Sequence, residues 1–344
     1  MRVLIVGCGY IGLPLGHELV RLGHEVLGIR RDSAAKKQLS SVGIQPLIAD
    51  ITRPQELAQL PSDFDWVINC VSASTEPTNR KSASPLVPLP SSLSAYRSVY
   101  LQGTRNLLDW LSKRPPSRFV YTSSTSVYGQ TDGSWVDETS PTEPVAQTAK
   151  ILVATEKLLL EAHQKNDFPA VILRLAGIYG PGRGYWFKQF LSDKAVFEGQ
   201  GDRILNMIHR DDVVGAILAV LQHLYWETGK TLSATLSLTS PRTSSEQSTE
   251  SKNRQSSRQS SRQSFDPRPP IYNVVDDEPV IQIEFFQWLA KKLSRPLPPS
   301  VPFDPTLAGK RGSTNKRVSN KKLRQELGYH LKFPTFREGY ETLT

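Results

Sequence analysis

The chain has 344 residues, 38% of them hydrophobic, a length that accommodates one large or two ordinary domains while implying that part of the chain is unpacked. No run of eighteen apolar residues occurs, which excludes a membrane-spanning helix, and two cysteines, Cys8 and Cys70, exclude a disulfide framework and suit a reduced, cytoplasmic setting. The net charge of +9 is concentrated from Lys291 onward, twelve Lys and Arg against four Asp and Glu, without aromatic interleaving or zinc-finger spacing, so nucleic acid is not an expected partner.

The first stretch, MRVLIVGCGYIG, sets the reading of the rest. A short apolar run, Val3 to Val6, stops at Gly7, and Gly7, Gly9 and Gly12 follow as GxGxxG before a helix-like segment. Glycine suits each position for its own reason: a tight turn, close approach of backbone to a pyrophosphate, and close helix–strand packing. Backbone N–H groups around Tyr10 and Ile11, at the positive end of the helix dipole, then face the phosphates. His17 and Glu18 distinguish the segment from a secretory signal.

Ile11 to Leu22 has helical spacing, with Pro14 tolerated in the first turn. Glu25 to Ile29 is the next strand and ends at Arg30, Arg31 and Asp32. An acid near this point would hold the adenosine ribose, whereas two guanidiniums suit a 2′-phosphate. NADP(H) is therefore the preferred cofactor and NAD(H) the alternative, in which Asp32 would swing in. Strand Gln45 to Ala49 runs into Asp50 and Ile51 at the expected adenine edge. Strand Asp65 to Cys70 leads to Val71 and Ser72, and Ser74 to Ser92 reads as a mobile, Ser- and Pro-rich loop.

Leu93 to Lys113 reads as a long helix, and Arg118 to Thr122 as a strand leading into Ser123 and Ser124. Helix Val145 to Gln164, strand Ala170 to Leu175 and the turn YGPGRG follow, and Asp211 is a plausible N-cap for a helix to about Leu224. This alternation predicts an α/β fold, a Rossmann-type doubly wound parallel sheet with ligands at the carboxyl ends of its strands. Residues 231–270, which include RQSSRQSSRQS, have too few apolar residues to offset their ordering entropy and read as a disordered insertion. Ile271 begins a strand, Val280 to Leu293 an amphipathic helix, and Asn320 to Leu327 a last one. The expected organisation is a cofactor domain over 1–225, with 179–206 contributing to a smaller substrate lobe, and a C-terminal substrate lobe over 271–344.

FVYTSSTSVYG (Phe119 to Gly129), with GYIG, GTRNLL (Gly103 to Leu108), RLAGIYGPG (Arg174 to Gly182) and NMIHRDDV (Asn206 to Val213), resembles the extended short-chain dehydrogenase/reductases, the NAD(P)-dependent epimerases, dehydratases and reductases of nucleotide sugars. The tail from Lys316 and the shortened glycine loop are similar to the atypical, YeeZ-like branch. The resemblance implies Ser124 as the hydroxyl that polarises a substrate oxygen. It also places the family's Tyr-x-x-x-Lys pair, counted back from Glu156, at Thr148 and Leu152, neither of which carries a proton near neutral pH. Tyr100 stands where the family commonly has asparagine.

Tyr128 is the nearest replacement acid, with packing as its other reading. His209, beside Asp211 and Asp212, resembles a general-base constellation, and Arg183 is placed to meet an anionic substrate; a hinge and a surface charge are the plainer alternatives. No metal site is expected, since the six histidines are scattered. The expected function is an NAD(P)-dependent oxidoreductase or epimerase/dehydratase-like enzyme acting on a small carbonyl, hydroxyl or sugar-nucleotide compound. The alternative is a non-catalytic NADP(H)-binding sensor or scaffold. Partners are a small-molecule substrate and, as an open alternative, a second copy of the chain in a homodimer.

Overall fold

A computed structural model describes residues 1–73, 92–223, 270–302 and 314–343. The loop expected at Ser74 to Ser92 and the insertion expected at 231–270 lie almost wholly outside the described residues. Met1–Gln222 and Arg268–Thr344 group as one compact unit.

Seven parallel strands form the central sheet: β1 (Arg2–Val6), β2 (Glu25–Arg30), β3 (Gln45–Ile48), β4 (Trp66–Asn69), β5 (Arg118–Ser124), β6 (Ala170–Leu175) and β7 (Ile271–Val274). Their spatial order is β7-β6-β5-β4-β1-β2-β3. The chain reverses its direction of winding between β1 and β4, which opens a crevice beyond the carboxyl ends of these two strands. Successive residues of each strand enter opposite layers. Val3 and Ile5 pack in one hydrophobic cluster, Leu4 and Val6 in the other, which is why β1 reads as an unbroken apolar run.

Helices α1 (Gly12–Arg21), α2 (Ala35–Ser40) and α3 (Pro54–Leu57) follow the first three strands. After β4, α4 (Ser92–Tyr96) continues through a π-helical segment, Arg97–Gln102, into α5 (Gly103–Leu111). Then come α6 (Gln147–Asn166), α7 (Tyr185–Leu191), α8 (Arg210–Gln222), α9 (Gln282–Leu293), α10 (Lys321–Leu327) and α11 (Phe336–Glu341). Helix α8 begins at Arg210, so Asp211 sits inside its first turn rather than capping it.

A third cluster forms the smaller lobe. Phe187 and Phe190 of α7 pack with Phe285 and Phe286 of α9 and with Phe336 and Tyr340 of α11. The expected boundary at residue 271 is corrected here. Ile271–Val274 pairs with β6 as an edge strand of the central sheet, and Val318 and Leu323 pack in a sheet-face cluster. The segment after 270 is therefore shared: its apolar strand completes the sheet, and the aromatic faces of α9 and α11 build the lobe.

The turn from β1 to α1 rests on two glycines. Gly7 has a φ of +85°, and a Cβ there would lie 2.7 Å from the Val71 backbone; one at Gly12 would lie 2.8 Å from the Gly7 carbonyl oxygen. Gly12→Ala is expected to cost about 1–3 kcal/mol through overpacking, read as a lower thermal-unfolding midpoint. An unchanged midpoint would show that α1 has room to move.

Candidate functional site

A cleft of about 820 Å³ lies at the switch point, and Gly7, Gly9, Tyr10 and Ile11 form part of its floor. Gly12 stands behind them, where α1 meets β1. Helix α1 has no side-chain cap at its N-terminus, and the Tyr10 and Ile11 amides have no hydrogen-bond acceptor among the described residues. Free N–H groups at an uncapped helix start, reached over a loop without side chains at Gly7 and Gly9, form a cradle that fits a pyrophosphate.

Arg30 and Arg31 line the cleft at the end of β2, Asp50 and Ile51 at the end of β3, and Val71 and Ser72 after β4. Arg30 donates from Nη1 to the Cys8 carbonyl oxygen at 2.9 Å, which steadies the glycine loop, and its other guanidinium donors have no acceptor among the described residues. Asp32 accepts from the Ala34 amide at 2.8 Å through one carboxylate oxygen and is not part of the lining. Asp50 accepts from the Thr52 amide and hydroxyl at 2.9 and 2.8 Å, and the Ile51 carbonyl accepts from Asn106 at 2.7 Å. Both are held rigidly at the cleft edge.

Ser124 lines the cleft at the end of β5. Its Oγ accepts from the Ser126 amide at 3.1 Å, which leaves its own O–H to donate. Thr148 and Leu152 of α6 line the same wall.

Tyr128 does not belong to this wall. Its side chain is fully buried, its hydroxyl accepts from Arg174 and donates to Asn273, each at 2.8 Å, and burial pushes its ionisation up to about 12. Both hydrogen-bonding roles of the phenol are used inside the core, so the replacement-acid reading gives way to packing. The same network runs through a buried ion pair, Arg174 to Glu156 at 2.8 Å, and Ser123, which donates to Glu156 at 2.6 Å.

His209 is also removed from the cleft. It is 2% exposed, its ring sits between Tyr179 and Phe333, and its Nδ1 accepts from the Asp211 amide at 3.2 Å. That bond puts the proton of the neutral ring on Nε2. Burial lowers its pKa to about 4, against the opposing pull of Asp211. Of the two readings of His209, the structure fits the plainer one, a neutral packing histidine, and not the general base. Asp212 is engaged too, accepting from the Lys332 and Phe333 amides and the Tyr329 hydroxyl.

Arg183 does line the cleft, its guanidinium 4.9 Å from the centre of the Tyr10 ring. Tyr96 and Tyr100, unassigned as site residues by the sequence reading, line it as well. Their i,i+4 spacing on a helix was the signal that places them on one face.

Among the described residues, no helix is long and apolar enough to cross a membrane, and no group of three or more His, Cys, Asp or Glu is placed to hold a metal.

A profile of the NAD dependent epimerase/dehydratase family matches residues 3–231. Protein YeeZ of Escherichia coli (strain K12) is 30% identical over 230 residues, which span 65% of this chain and 76% of YeeZ. Human dTDP-D-glucose 4,6-dehydratase is 32% identical over 135 residues, 37% of this chain and 38% of that enzyme. The fold is similar to that of UDP-glucuronic acid 4-epimerase from Bacillus cereus, solved with UDP-glucuronic acid and NAD. The two share a TM-score of 0.70 and 20% identity, over 99% of this chain and 97% of that one.

His209 generates a pH signature. Its imidazole charges near pH 6.5 when unfolded and only near pH 4 when folded, so the unfolded state binds the proton first. Stability is full above about pH 6.5 and falls toward pH 4, by on the order of 2–3 kcal/mol. Denaturant unfolding of His209→Gln should show a shallower loss between pH 6.5 and 4.5 than the parent. Parallel curves would mean that His209 is already charged in the fold.

Proposed function

The chain belongs to the NAD dependent epimerase/dehydratase family, and from that premise we propose that it binds NADP(H) in preference to NAD(H) in the switch-point cleft and catalyses oxidoreductase or epimerase-type chemistry. The substrate class is a small carbonyl or hydroxyl compound or a sugar nucleotide. The observation that carries the reading is the convergence of the uncapped α1 start with Arg30 and Arg31, while Asp32 lies outside the cleft lining.

The Tyr10 and Ile11 amides would hold the pyrophosphate, and Arg30 and Arg31 a 2′-phosphate. Ile51 would cover the adenine, and Val71 and Ser72 the dinucleotide where it crosses β4. The nicotinamide, when bound, supplies or accepts hydride. Ser124 orients the substrate oxygen through its free O–H. Arg183, at the mouth and partly stacked on Tyr10, meets an anionic group of the substrate.

A second reading, a NADP(H)-binding sensor without turnover, draws support from Thr148 and Leu152. Neither supplies a titratable group at the wall where both stand. The cofactor site is common to both readings.

Titration of the full chain with NADPH and with NADH, followed by tryptophan-to-nicotinamide energy transfer, tests the site. Arg31→Ala tests phosphate recognition without disturbing the loop, and Arg30→Ala tests it together with the Cys8 contact. Each charge-assisted hydrogen bond lost is worth about 1.5–3 kcal/mol, or roughly tenfold or more in affinity. The expected result is tighter NADPH binding that weakens in both variants while NADH binding is kept in Arg31→Ala. Equal affinities would remove the NADP preference, and absence of binding would remove both readings.

A further inference from the structure

The wall that loses its titratable groups at Thr148 and Leu152 has two phenols on the neighbouring helix. Tyr96 and Tyr100 stand one turn apart with ring centroids separated by 5.1 Å and planes inclined by 45°, and both line the cleft with Ser124. Helix α4 and its π-helical continuation pack directly on α6. The π segment, Arg97–Gln102, carries Tyr100, and such departures from α geometry recur at functional sites.

Few other lining groups can hold a transferable proton. A guanidinium is poorly suited to passing a proton to a substrate oxygen, which sets aside Arg30, Arg31 and Arg183. The Cys70 thiol points to the Gly7 carbonyl oxygen at 3.4 Å, and burial pushes its ionisation far up. The Tyr10 hydroxyl is buried beside Gly180, whose Cβ position is 2.9 Å from it and 3.2 Å from His209 Nε2, so it is turned away from the cleft. Asp50 lies at the far edge of the lining, after β3, with its Oδ1 bound to Thr52 and with three strands between β3 and β5, which carries Ser124, and of the two tyrosines Tyr100 is the anchored one. Its ring packs against both sheet-face clusters, one of which contains Leu152.

We propose that Tyr100 is the residue that gives and takes the proton at the substrate oxygen beside Ser124, with Tyr96 steadying its ring. The proposal rests on the cleft being a dinucleotide site. In a reduction, the carbonyl oxygen that gains the C=O electron pair takes the proton from Tyr100 Oη, and water reprotonates the phenolate. The carbon-bound hydrogen and its two electrons come from the reduced dinucleotide, which ends oxidised. Among the described residues, Tyr96, Tyr121 of β5 and, beyond it, Glu156 are the titratable neighbours, and Glu156 is neutralised by Arg174.

The test is an ultraviolet difference titration of tyrosine ionisation in the full chain, with and without saturating NADP+, with binding followed in the same samples by tryptophan quenching. Burial moves Tyr10, Tyr96, Tyr121, Tyr128, Tyr179, Tyr272, Tyr329 and Tyr340 upward, and the difference between samples with and without NADP+ cancels every phenol that the ligand leaves unmoved. NADP+ is expected to lower one phenol's midpoint by about one pH unit, the size expected for a positive ring several ångströms away. The shift should vanish in Tyr100→Phe, which keeps the ring packing and binds NADP+, and persist in Tyr96→Phe. Bound NADP+ without a shift in the parent chain, or a shift that survives Tyr100→Phe, overturns the assignment and leaves the cleft reading standing. If NADP+ does not bind, the two fall together.

Discussion

The approach of the β1–α1 turn to the end of β4 is the constraint on which the cleft depends. Gly7 adopts a left-handed conformation, and its missing side chain lets the backbone pass against Val71; Gly12 lets α1 begin directly over Gly7 and Ile5. A side chain at either point would push the helix start outward, and the Tyr10 and Ile11 amides would no longer meet over the switch point. The sheet order then supplies the rest. Because β2, β3 and β5 are parallel to β1, their carboxyl ends deliver Arg30, Asp50 and Ser124 to the same rim.

Behind this rim lies a polar network with a different task. Ser123, Glu156, Arg174, Tyr128 and Asn273 link β5, α6, β6 and β7 through buried hydrogen bonds. Breaking such a pair by removing one charge leaves the other buried and uncompensated, at a cost of about 3–5 kcal/mol. The network ties α6 to β5, β6 and β7 behind the cleft. Adjacent residues divide these duties: Ser123 faces Glu156, while Ser124 keeps a free O–H at the cleft.

The glycine spacing, the apolar runs and the intervening helical patterns made the sheet legible, and the residues named along its carboxyl edge, from Gly7 to Ser72, line one crevice except for Gly12, which stands behind it. Two readings that the sequence left open, at Tyr128 and His209, depend on distant contacts. Tyr128 and His209 carry reactive side chains in suggestive company, but the local sequence does not reveal that Arg174 and Asn273, 46 and 145 positions away, use the Tyr128 hydroxyl, or that distant Phe333 packs on the His209 ring. The division of the chain after residue 270 was hidden for a similar reason. IYNVV reads as a strand, but its pairing with β6, about a hundred residues earlier, is a long-range choice. The π-helical segment at Arg97–Gln102 has no local sequence mark of its own, so the placement of Tyr100 emerges only from the packing of α4 on α6.

A crystal structure of the full chain grown with NADPH tests the central claim most directly, through the position of the pyrophosphate. The account predicts its oxygens within hydrogen-bonding distance, about 3 Å, of the Tyr10 and Ile11 amides, with the 2′-phosphate against Arg30 and Arg31. A dinucleotide bound away from the glycine loop, or with its adenosine end directed away from β2, would contradict it.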